Sequence, residues 1–223
     1  MQFPGWIEWL EDRFGQLDIP FLLKGLIALN ILTFFMVGMN PGFVELLYLD
    51  PIAVRNGEVW RLLSFLVIPR YSPDGDFSLV FLLIFVLFMW MVSNGLEEAL
   101  GSFKLTLYLL ISVTFIGTSC LLTNTLGYHA FLYQSLIVFF ALLYPDIEIL
   151  LFFIIPLKMK WLGIFIGSIS ALVFILAPLS QKALILASYS GFLIFTVPHF
   201  FQTWKNKRET ERRRNRFEDG GDS

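Results

Sequence analysis

Charged residues are missing from five stretches of this 223-residue chain: 25–44, 77–96, 105–145, 161–181 and 183–204. A helix needs about 20 predominantly apolar residues to cross a hydrocarbon core about 30 Å thick. Four of the stretches are therefore one bilayer long, and 105–145 is two. Thr123-Asn124-Thr125 followed by Gly127 breaks the long stretch with polar and turn-forming residues, so two crossings can lie back to back there. The expected fold is an all-α membrane protein, a six-transmembrane-helix bundle. Composition agrees, because 57% hydrophobic residues exceed what one soluble core of this length needs.

The net charge of −2 conceals an uneven distribution of the sixteen Lys and Arg. Basic residues in short loops favour the cytoplasmic side. With both termini cytoplasmic, that side holds Arg13, Lys24, Lys104, Lys158, Lys160 and seven basic residues between Lys205 and Arg216, twelve in all. The outer side keeps four: Arg55, Arg61, Arg70 and Lys182. The tail decides this bias, and an even number of crossings likewise requires both termini on one side. In a bacterium the host membrane would be the cell (inner) membrane.

Residues 1–19 lack a basic segment followed by an apolar core and a small-residue cleavage site, so the first crossing is expected to remain as an anchor. Phe3, Ile7, Leu10, Phe14 and Leu17 recur at spacings of four and three, which sets them on one helical face. Trp6 and Trp9 flank that stripe, and Glu8, Glu11 and Asp12 lie opposite. Two placements fit this N-terminal amphipathic helix: in the cytoplasmic membrane interface, or packed on the protein's own cytoplasmic loops. Residues 20–204 form the six-span domain. The tail, 205–223, is basic and then acidic and is expected to be disordered. Its basic part serves topology, and no nucleic-acid partner is expected.

Leu62–Pro69 and Ile149–Leu157 are apolar but too short to cross, so each should lie in or near an interface. Cys120, the single cysteine, excludes an intramolecular disulfide and a cysteine-cluster metal site. Gly163, Gly167 and Ala171 fall four apart and form a smooth stripe suited to close helix approach. Nothing in the chain forms a nucleotide loop or a metal-ligand constellation, so no cofactor is expected.

Two strings flank the second crossing: Gly57-Glu58-Val59-Trp60-Arg61-Leu62-Leu63 before it, and Gly95-Leu96-Glu97-Glu98-Ala99-Leu100-Gly101-Ser102 at its end. Together with the six-span layout and the long loop from about 45 to 76, they resemble the rhomboid superfamily. The resemblance places Trp60 and Arg61 at the family's Trp-Arg pair, and Glu97 and Gly101 at its Glu and Gly. Each also has a structural reading. Arg61 can cap carbonyls or pair with Glu58, Trp60 can fill the loop's apolar underside, and Glu97 can accept backbone amides.

Active members of that family cut transmembrane segments with a Ser inside Gly-x-Ser-Gly in span four and a His in span six. Neither is present here. Aligned on Pro145, the nucleophile position falls near Ala130, and aligned on Gly191 the base position falls near Ser188. Tyr128, Phe131, Phe192 and Phe195 would crowd the seam between those spans. His129 and Ser188 share a depth, so a swapped dyad is conceivable, whereas Ser135 lies deeper on another face and His199 near the opposite interface.

The resemblance thus implies a rhomboid-like, non-proteolytic protein whose partners are the lipid bilayer and transmembrane segments of client proteins. The alternative is a rhomboid-type intramembrane serine endopeptidase. A transporter or channel ranks third, because no Asp, Glu, Lys or Arg lies inside a crossing.

Overall fold

A computed structural model describes residues 5–71, 73–151 and 155–197. Phe3, His199 and the 205–223 tail lie outside the described residues, as does the side chain of Leu17. The chain begins with the short helix α1 (Gly5–Phe14) and continues through α2 (Leu22–Met39) into a long first loop. That loop carries two short helices, α3 (Pro51–Arg55) and α4 (Arg61–Ser64). Four longer helices follow: α5 (Ser78–Leu100), α6 (Ser102–Thr123), α7 (Ala130–Leu143) and α8 (Met159–Leu176). Then α9 (Leu179–Ser188) and α10 (Ser190–Val197) meet at a 54° bend.

Four of these helices, α2, α5, α6 and α8, are long and apolar enough to cross a membrane, and a fifth is reached if the bent α9–α10 pair is one span and not a re-entrant loop. The expected sixth crossing, α7, has only 14 residues, about 21 Å of helix at roughly 1.5 Å per residue. Its shortness has a local cause. The 105–145 stretch divides where expected, at Asn124, whose left-handed φ of 54° ends α6. The chain then spends Thr125–His129 in a loop before turning helical again.

That short helix is the centre of the bundle. Eight of its 14 residues are buried, against three of 18 in α8, so α7 is wrapped by protein while α8 lies at the edge. A helix shielded from lipid by its neighbours need not match the hydrocarbon thickness. Because lipid tails are as apolar as Leu, these contacts hold through close packing and hydrogen bonds instead of hydrophobic transfer. Gly95 of α5 illustrates the closeness, since a Cβ there would collide with the Phe140 ring of α7. Gly163 of α8 meets Ala141 of α7 in the same way. The rest of the expected small-residue stripe differs: Gly167 has no neighbour within 4 Å of a built Cβ, and Ala171 is exposed.

The two short apolar stretches take different forms. Leu62–Pro69 turns through α4 and a 3-10 segment, Phe65–Val67, and buries Phe65 and Leu66 in the bundle. Its carbonyls need donors away from water. Asn30 of α2 donates to Leu66 at 3.3 Å, Tyr133 of α7 donates to Leu66 at 3.0 Å, and Thr33 donates to Val67. The second stretch contributes to an antiparallel strand pair, Glu148–Leu151 against Ile155–Lys158, with Ile149 opposite Leu157 and Glu148 opposite Lys158. The fold among the described residues is therefore helical with one two-stranded hairpin.

At one end of the bundle, α1 buries Ile7 and joins α6 through Glu11 and Lys104, 2.6 Å apart. Trp6 and Trp9 stay exposed. Both proposed placements of this helix thus find a face: one packs on the protein, and the indoles are turned outward. At the other end, Arg55 of the first loop donates to Asn124 and to the Leu121 carbonyl, and Gly127 donates its N–H to Leu49 at 3.0 Å. Cys120 is buried beside Gly127 as a small packing residue.

Candidate functional site

The seam between α7 and α9 is where the sequence placed the family's nucleophile and base, so its polar groups decide what chemistry is available. Ser188 is fully buried, and its hydroxyl donates to the Leu184 carbonyl one turn back, at 2.9 Å. Ser135 donates to the Leu132 carbonyl at 2.7 Å and lies 2.8 Å from the Tyr108 hydroxyl of α6. Ala130 opens α7. His129, just before it, rests edge-on against the Tyr133 ring with centroids 5.5 Å apart. Among the described residues, no serine hydroxyl is hydrogen-bonded to an imidazole, so His129 and Ser188 are not joined as a dyad. A general base must reach the hydroxyl it activates, directly or through one water.

Aromatic rings fill much of this seam. Phe139 stacks on Tyr108 at 5.6 Å and meets Phe192 edge-on at 6.0 Å, and Phe195 is fully buried beside both Tyr108 and Phe139. Of the four residues expected to crowd it, Phe192 and Phe195 do so. Tyr128 is instead 49% exposed. Gly191 presses on α6, where a Cβ would stand 2.5 Å from the Ser112 hydroxyl and 3.0 Å from the Tyr108 carbonyl.

Beside the seam runs a polar chain. Tyr189, at the α9–α10 bend, donates to Ser170 of α8 at 2.8 Å, and Ser170 donates to the side-chain carbonyl of Gln134 at 3.0 Å. A second cluster joins Asn30, Tyr133 and the Leu66 carbonyl across α2, α7 and the first loop. The sequence reading did not single out Gln134, Ser170, Tyr189 or Asn30. Their signal was present: an amide side chain inside an uncharged stretch demands partners once removed from water.

Three of the four landmark residues, Arg61, Glu97 and Gly101, hold loops or helix ends in place. Arg61 is buried. Its guanidinium donates to the carbonyls of Glu45 at 2.6 Å and Tyr48 at 3.0 Å, and it pairs with Glu58 at 2.6 Å. One cation thereby closes the first loop on itself. Trp60 differs from its structural reading, being 54% exposed on the loop surface instead of filling its underside. Glu97 accepts the Phe21 N–H at 3.1 Å, the Lys24 ammonium at 3.1 Å and the Ser102 hydroxyl at 3.3 Å. The amide it takes comes from the start of α2, so it ties α2 to the α5–α6 turn. Gly101 makes that turn in one residue at φ 79° and ψ 161°, a combination essentially confined to glycine.

No group of three His, Cys, Asp or Glu side chains among the described residues could hold a metal ion. Comparison with protein-family models, with curated proteins and with solved structures yields no match to this chain.

Proposed function

We propose that this chain is a rhomboid-like multi-pass membrane protein that binds transmembrane segments of other proteins without cutting them. In this reading it crosses the membrane six times, α7 and the α9–α10 pair included, with both termini in the cytoplasm. The observation that carries the reading is a pairing of features. Arg61, Glu97 and Gly101, the positions behind the resemblance, hold the loops in place. The serines near the expected reaction centre spend their hydroxyls on carbonyls one turn back.

The test is twofold. A fluorophosphonate probe and a model transmembrane substrate, offered to the purified protein, are expected to give no labelled serine and no cleavage. Labelling together with cleavage overturns the reading in favour of the intramembrane protease. Photo-crosslinkers at Tyr128 and Trp60, both about half exposed, are then expected to capture a transmembrane partner in native membranes.

A further inference from the structure

The geometry points to a phospholipid site on the flank of the bundle, between α7, α8 and α10, that selects a headgroup carrying both a phosphate and a primary amine. Helices α7 and α8 run antiparallel in a register fixed at three levels. Ser170 bonds Gln134 at one end, Gly163 abuts Ala141 in the middle, and the Lys160 N–H donates to the Pro145 carbonyl at 3.1 Å at the other. Along the lower part of this register lies a groove of about 460 Å³, walled by Val138, Leu142, Ile164 and Phe192. Gly163 against Ala141 gives it a shallow floor, and Lys160 lines it beside Pro145.

The shape favours a hydrocarbon chain. From Val138 the groove follows the last six residues of α7, about 9 Å at roughly 1.5 Å per residue, and continues to Pro145. Depth is set by Trp161, 57% exposed next to Lys160, because indoles settle at headgroup level.

Charge then chooses the headgroup. Among the described residues Lys160 has no carboxylate within ion-pair range, and its ammonium stands 5.8 Å from the Trp161 ring. Asp146, directly after Pro145, is 80% exposed and faces Lys158 at a loose 3.8 Å, a separation that contributes little at an exposed site. Glu148 lies across the hairpin from Lys158. Next to the lining residues Pro145 and Lys160, the adjoining segment thus adds Asp146, Glu148 and Lys158, two anions and a second cation. A purely anionic headgroup meets as much repulsion as attraction there. A phosphate on Lys160 with an ammonium on Asp146 satisfies both signs, and a primary ammonium donates hydrogen bonds that a choline cannot.

Native mass spectrometry of the full chain tests this. The chain would be offered equal amounts of phosphatidylethanolamine, phosphatidylcholine and phosphatidylglycerol with identical acyl chains. Phosphatidylethanolamine is expected to be retained several-fold over the other two. Lys160→Gln is expected to lower its retention about tenfold, and Asp146→Asn to equalise it with phosphatidylcholine. Leu142→Trp, at a partly exposed wall position, is expected to lower retention of all three without moving the unfolding temperature. Equal retention by the parent protein, a preference for phosphatidylglycerol, or an unaffected Leu142→Trp variant would each overturn the site. The site stands or falls separately from the client-binding reading.

Discussion

Gly101 joins two membrane-crossing helices with a single residue at φ 79° and ψ 161°. Gly101→Ala should therefore cost about 1–3 kcal/mol, the range for a side chain forced into such a backbone state. The cost would be read as a lowered unfolding midpoint in detergent. Gly167→Ala is the control, because nothing stands within 4 Å of a Cβ there and alanine favours helix by about 0.5–1 kcal/mol. It should be neutral or stabilising. Gly95→Ala should destabilise by about 1–3 kcal/mol, the usual cost of overpacking, because the Phe140 ring must move. Glu97 was legible as an acceptor of backbone amides, because a carboxylate closing an apolar run needs donors. Phe21 was not. A bulky residue at φ 60° leaves no sequence mark, and its conformation goes with an N–H aimed at Glu97, 76 positions away.

At the level of elements, the anchoring of the first loop is the measurable feature. Asn30 and Tyr133 lie 3.1 Å apart and both donate to the Leu66 carbonyl. A double-mutant cycle with Asn30→Leu and Tyr133→Phe should give a coupling of roughly 1 kcal/mol, typical of hydrogen bonds inside membrane bundles. No coupling would mean the loop is held by packing alone. The same contact explains a gap in the sequence reading. Leu62–Pro69 is apolar enough to suit an interface, and only the donors on α2 and α7 show that it enters the bundle. The hairpin at 148–158 was hidden for a related reason. Its strands, Glu148–Leu151 and Ile155–Lys158, lack the alternation that marks a half-buried strand. The expected divide near Asn124 was legible because a polar turn inside a long apolar stretch has few other uses.

Across the whole molecule, alternating helix direction puts the first loop and the α8–α9 connection at one end, and the α5–α6 turn and the hairpin at the other. In a Cys120→Ser background, a membrane-impermeant thiol reagent should label Asn56→Cys and Gln181→Cys from one side only. Glu98→Cys and Asp146→Cys should label from the opposite side only. Labelling of Asn56 and Gln181 from different sides would remove the up-and-down order. The number of apolar runs and their rough limits were readable from charge alone. The brevity of α7 and the bend at Tyr189 were not, because both follow from which helices surround which. The one-residue joint at Gly101 has a mechanical corollary: α5 and α6 share no slack, so neither can slide without dragging the other, and Glu97 clamps α2 to the same block.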